Sequence, residues 1–172
     1  MTLDAFARET VEFVRANEGW ELPVVAILAF GESLAVVSFF VPATVALLGI
    51  GALVGASDIA FAPVWLAAAA GAALGDWVSY WLGARFKDAA AGLWPLSRYP
   101  DLIPKGEAFV ARFGLGAVFL GRFFGPARAA VPLVAGMLAM PIWPFQFANA
   151  SSALLWAGVL LAPDTAAMRW LV

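Results

Sequence analysis

Four ionisable residues, Glu32, Asp76, Arg122 and Arg128, stand inside long apolar stretches of this 172-residue chain. At the centre of a membrane helix each costs about 2.5–3.5 kcal/mol on insertion scales, so mutual pairing or a wet cavity is required. Their charges cancel, with both acids in the first half and both arginines in the second. Each half therefore completes the other only when the two are docked. Arginine presents a planar fork of donors that matches phosphate and carboxylate, and it keeps its charge where lysine loses it. Pro126 suits the first position of a new half-helix, whose unpaired N–H groups and positive dipole end face the same spot. Arg122 and Arg128 around such a helix start make an anion site, and at membrane depth the fitting anions are a lipid phosphate or a small oxyanion. Glu32 and Asp76 read as proton carriers: a carboxylate that trades an arginine partner for an apolar setting takes up a proton and returns it on the way back. The alternative is that each acid is a permanent counter-ion to one arginine, a structural ion-pair network. Asn149 is either a head-group contact or interhelical glue. Tyr80, one turn after Asp76, either hydrogen-bonds it across i, i+4 or packs.

The elements that must hold these residues are membrane elements. Hydrophobic residues make up 63% of the chain, charged residues 13%, and the mean hydropathy is +0.89. A soluble domain is roughly 45–50% apolar and about 25% charged, because it needs a solvated skin that this composition cannot supply. The chain has no histidine and no cysteine. That excludes histidine bases, thiol nucleophiles, disulfides and His/Cys metal sites, so neither a metal nor a cofactor is expected. With Lys87 and Lys105 both in a polar loop, the usual nucleophile and base pairs of an enzyme cannot be assembled either. A net charge of −2 gives no reason to expect a nucleic-acid partner.

Residues 1–21 mix charged residues with Leu3, Phe6, Ala7, Thr10, Phe13 and Val14 at helical spacing, with Trp20 after that run. They read as an interfacial amphipathic helix, not a signal peptide, with a solvated capping helix as the alternative. The first half, 22–84, opens with an apolar stretch to Ala56 that holds Glu32, Pro23, Pro42 and several glycines. It is too long for one crossing and short for two, so it is either a tilted crossing with extra apolar chain or, the favoured reading, a re-entrant element turning near Phe39 to Thr44. Residues 59–84 form a crossing helix with Gly71 and Gly75 four apart, a spacing that lets another backbone approach. Residues 85–112 are a polar loop carrying five of the ten basic residues, placed in the cytoplasm by the positive-inside rule. In the second half, 113–162, the sequence predicts a half-helix to Phe123 or Phe124, a break at Gly125–Pro126, a new start, and a crossing helix over 142–162. The tail, 163–172, is uninformative. The fold class is thus all-α: a polytopic helical membrane protein with two re-entrant, Gly/Pro-broken hairpins arranged as an inverted repeat. Pro42, Gly75, Tyr80, Gly125 and Pro126 are its structural hinge positions. Abundant Gly-x-x-x-Gly spacings serve association into a homo-oligomer equally well.

Three stretches resemble the bacterial DedA membrane proteins, whose shared region is also called the VTT or SNARE-associated domain. The first is Gly31-Glu32 with Pro42 ten residues on. The second is Gly71-Ala-Ala-Leu-Gly75-Asp76-Trp-Val-Ser-Tyr80-Trp-Leu-Gly83. The third runs from Phe109-Val-Ala-Arg112-Phe113-Gly114 through Arg122-Phe-Phe-Gly-Pro126-Ala-Arg128 to Val131-Pro132 and Ala135-Gly136, with Phe145, Asn149 and Trp156 beyond. The resemblance implies two re-entrant hairpins meeting in the bacterial cytoplasmic membrane and a functional requirement for Glu32, Asp76, Arg122 and Arg128. It also implies return of undecaprenyl phosphate across that membrane, dependent on protons. Ala43-Thr44 follows Pro42 where many members have a Pro-Gly-Glu-like turn, so an extra acid of the family is missing here. Some relatives act as phospholipid scramblases or are linked to small-oxyanion uptake, so the expected partners are a lipid phosphate, protons and membrane lipids, with oxyanion transport, lipid scrambling and a non-transporting scaffold as alternatives.

Overall fold

The computed structural model describes residues 3–17, 19–34, 43–55, 59–87, 89, 101–124 and 127–171. Among these there are eight helices and no strand: α1 Leu3–Ala16, α2 Glu21–Ser33, α3 Ala43–Gly55, α4 Phe61–Phe86, α5 Leu102–Phe113, α6 Leu115–Gly121, α7 Ala127–Met137 and α8 Ile142–Leu171. Prolines mark the starts of four of them. Pro23, Pro63, Pro104 and Pro144 are each the third residue of α2, α4, α5 and α8. There a missing N–H loses nothing, because the first four N–H groups of a helix have no intrahelical acceptor.

The apolar stretch after Glu21 is broken into two helices of 13 residues each. At 1.5 Å per residue each is about 20 Å long, short of a hydrocarbon core of about 30 Å. Thr44 in the first turn of α3 donates to Glu32 in the last turn of α2, so the end of one helix lies beside the start of the next. The second half breaks in the same manner, with α6 of 7 residues and α7 of 11 on either side of the Gly125–Pro126 position. Pro42, Gly125 and Pro126, and most of the turn expected near Phe39 to Thr44, lie outside the described residues.

Among the described residues two helices are long and apolar enough to cross a membrane, Phe61–Phe86 and the Ile142–Ala162 part of α8. The polar segment 85–112 is not loop throughout. Residues 102–113 form α5 because Ile103, Gly106 and Val110 fall on one face, which packs on α7, with Gly106 against Val134. Gly114, at φ +52°, ends α5 and separates it from α6.

Close helix contacts are made through glycine. A methyl group on Gly71 would overlap the Ala26 carbonyl, and one on Gly75 would meet Phe30 and Ser33, so α4 lies directly on the backbone of α2. Further along α4, Gly83 faces the Leu133 carbonyl while Gly136 of α7 faces the Tyr80 carbonyl, a reciprocal contact between two backbones. Lipid offers no hydrophobic drive for helix pairing, so this closeness is what dispersion and backbone dipoles require.

Two apolar cores result. The first gathers Val25, Leu47, Ile50 and Val64 from the first half around Ala153, Trp156, Ala157 and Leu161 of α8. The second gathers Val110, Val118, Val131 and Val134 from the second half, with Tyr80 and Leu82 of α4 packed against it. Each half's core is thus closed by the long helix of the other half. α1 packs on α3, with Val14 buried and Val11 against Gly49.

Candidate functional site

Breaks in the helices bring four charges together. Glu32 is the next-to-last residue of α2, Asp76 lies in the middle of α4, Arg122 sits in the turn that ends α6, and Arg128 is the second residue of α7. In the Arg122 turn, Phe123 N donates to the Leu120 carbonyl and Phe124 N to that of Gly121. Pro132 has no N–H for the carbonyl four residues before it, so α7 lacks the bond that would close on Arg128.

The arginines pair with the acids across the halves. Arg122 Nη2 donates to Asp76 Oδ2, and to Asn149 Oδ1 at 2.6 Å, while its Nε donates to Ser152 Oγ at 3.0 Å. Arg128 Nη1 donates to Glu32 Oε1 at 2.8 Å, and its Nη2 to Ser33 Oγ at 3.3 Å. The Arg128 guanidinium also lies over the Trp156 ring, 4.4 Å from its centroid. Asp76, Arg122 and Glu32 are buried, and Arg128 is largely so. Each acid therefore has one arginine partner, as the zero sum of charges requires.

None of the four is fully used. Glu32 Oε2, Asp76 Oδ1, Arg122 Nη1 and Arg128 Nε are buried and have no hydrogen-bond partner among the described residues. An unpartnered buried polar atom costs about 1–3 kcal/mol, more when charged, so such atoms in every member of one cluster mark a place built for further partners. Two are donors suited to an anion, and two are carboxylate oxygens suited to a proton or a donor. No group of three or more His, Cys, Asp or Glu that could hold a metal ion exists among the described residues.

Asn149 is committed to the protein. Its carbonyl oxygen accepts from Arg122, and its amide donates to the Ala73 carbonyl at 2.9 Å and to Gln146 Oε1 at 3.2 Å. It is glue between α4 and α8 that also steadies Arg122. Tyr80 does not bond Asp76. Its hydroxyl donates to the Met140 carbonyl at 2.5 Å and its ring stacks on Phe145 at 4.3 Å. Gly75 and Tyr80 both lie inside α4, which runs unbroken through them, Gly75 against Phe30 and Ser33 of α2 and Tyr80 against Phe145.

Ser33, Thr44, Ser152 and the ring of Trp156 belong to the site, and the sequence assigns none of them a role there, Trp156 entering only through the family resemblance. One signal could have found two of them: Phe145, Asn149, Ser152 and Trp156 recur at spacings of four, three and four along the charge-free residues 142–162, one inward face.

Residues 34–163 match the family model described as the VTT domain. Over 151 residues the chain is 38% identical to the inner membrane protein YabI of Escherichia coli K12, covering 88% of this chain and 59% of that protein. It is 33% identical over 151 residues to the uncharacterized membrane protein BU139 of Buchnera aphidicola, again covering 88% and 59%. It is 33% identical over 171 residues to the uncharacterized membrane protein slr0232 of Synechocystis, covering 94% and 73%. The chain thus spans about three fifths of the length of the first two of these relatives. No solved structure matches it.

Proposed function

This chain belongs to the VTT-domain, or DedA, family of membrane proteins, and on that premise we propose that it translocates a lipid phosphate, undecaprenyl phosphate foremost, across the bacterial cytoplasmic membrane, coupled to protons. Arg122 and Arg128 receive the phosphate, and Glu32 and Asp76 exchange the protons. The observation that carries this reading is the buried quartet whose donors and acceptors are each left with one unpartnered atom. A purely structural network has no use for that pattern, since unmet polar atoms only weaken it.

The broken helices support two re-entrant hairpins whose tips bring the charges to membrane depth, where irregular backbone is tolerated only under protein or beside a wet cavity. The helix pairing supports a repeat. α1 packs on α3 as α5 packs on α7, α2 on α4 as α6 on α8, and α3 on α8 as α7 on α4. Exchanging the two halves leaves that set of contacts unchanged, as expected for halves related by a pseudo-twofold axis. An apolar groove of about 820 Å³ along α4 and α8, lined by Phe61, Trp65, Leu154, Leu155, Gly158, Val159 and Ala162, favours a substrate with a hydrocarbon tail. The basic segment between α4 and α5 faces the cytoplasm in this reading, and the chain is multi-pass.

The test is inward movement of labelled undecaprenyl phosphate in proteoliposomes, with and without a pH gradient. Wild type is expected to move the lipid. Arg122→Ala and Arg128→Ala should fail under all conditions, while Glu32→Gln and Asp76→Asn should lose only the gradient dependence. A wild type that moves no polyprenyl phosphate, with arginine variants that still fold, removes the lipid assignment and leaves small-oxyanion transport or a scaffold role.

A further inference from the structure

The two ion pairs of the site are built differently. The Arg122 side chain is 1% exposed, and its guanidinium is divided among Asp76, Asn149 and Ser152. The Arg128 side chain is 12% exposed and grips a single oxygen of Glu32, with the longer bond to Ser33 beside it. What Arg128 has in addition is the Trp156 ring. A ring face attracts a cation without a hydrogen bond and does so most strongly away from water, so this contact persists when a carboxylate partner leaves. Glu32, for its part, keeps a second partner on the same oxygen, the Thr44 hydroxyl.

We infer that Trp156 is a positioning residue for anion exchange: its indole holds the Arg128 guanidinium in place while a phosphate-type anion takes the guanidinium over from Glu32, the Arg122–Asp76 pair staying closed during that step alone. This rests on the phosphate-site reading above and assigns the two pairs separate tasks within it. The incoming anion meets Arg128 Nη1 as Glu32 gives it up, and Arg122 adds only its unpartnered Nη1. The same chemistry fits a lipid phosphate and free phosphate, so the test uses both.

Isothermal titration of the full chain in neutral detergent micelles, with dodecyl phosphate and separately with inorganic phosphate, reads the exchange. Trp156→Leu should weaken binding about 5- to 30-fold, the range of a cation–π contact between a partly wet and a dry site. Trp156→Phe, which keeps a ring face, should lose clearly less. Glu32→Gln should bind more tightly than wild type because the competing carboxylate is gone, whereas Asp76→Asn should show no gain. Stronger binding of dodecyl phosphate identifies the lipid source, and equal binding the free anion. A Trp156→Leu protein that elutes and melts like wild type yet binds equally well overturns the inference, as does equal weakening by Leu and Phe. If Trp156→Leu does not fold, the comparison of Glu32→Gln with Asp76→Asn decides, and no tightening in Glu32→Gln overturns the exchange. A wild type that binds neither probe brings down the phosphate-site reading itself and this inference with it, which separates that failure from a binding wild type with unaffected variants.

Discussion

Asp76 and Arg122 form the most enclosed ion pair among the described residues, and the cost of breaking it is asymmetric. Removing one member of a buried pair leaves an uncompensated charge and typically costs about 3–5 kcal/mol, while replacing both by apolar groups can be near neutral. Asp76→Leu should therefore lower the thermal midpoint in detergent far more than the double variant Asp76→Leu/Arg122→Leu does, with neither variant transporting. A double variant as unstable as the single one would mean that the pair is not coupled as drawn. The four charges were legible in the sequence because a charge in an apolar stretch is conspicuous. Which arginine serves which acid was not, since the partners are 46 and 96 positions apart along the chain. Nor was the commitment of Asn149, which depends on the Ala73 carbonyl coming within 2.9 Å of its amide.

Helix ends and helix crossings decide the next level. The link from α7 to α8 is a Schellman turn: Met140 N donates to the Ala135 carbonyl and Ala139 N to that of Gly136, with Ala139 at φ +52°. A non-glycine residue there pays about 1–2 kcal/mol, part of which glycine returns as greater freedom in the unfolded chain. Ala139→Gly should accordingly stabilise the protein by about 0.5–1 kcal/mol, read as a rise in melting temperature of about 2 °C. At the α2–α4 crossing the opposite holds. Gly71→Val drives a side chain into the Ala26 carbonyl, and overpacking against backbone should cost about 3 kcal/mol or more. Loss of monodisperse elution is the expected outcome, and an unaffected melting curve would contradict the close crossing. The breaks near Gly125–Pro126 and the spacing of Gly71 and Gly75 were readable from local chemistry. Helix α5 was not, because Pro104 and the charges of 85–112 resemble a loop until Gly106 and Val110 are seen packed on α7.

For the whole molecule, the two apolar cores are each closed by the other half's long helix, and both ion pairs cross between halves. Splitting the chain between α4 and α5 and co-expressing the pieces should yield a complex that co-purifies. Glu32→Leu together with Asp76→Leu in the first piece should abolish it by stranding two buried arginines, and intact co-purification would show that apolar packing alone holds the halves. The apolar surroundings, the four charges and the places where helices must break are legible in the residues alone. Each of these follows from composition or from the local stereochemistry of glycine and proline, which act within a few residues. The pairing of acids with arginines, the Trp156 ring beneath Arg128 and the exchange of long helices between cores arise only when the helices pack. Those depend on contacts between residues far apart in the chain, and in lipid they are selected by backbone closeness and polar satisfaction, neither of which a hydropathy pattern records.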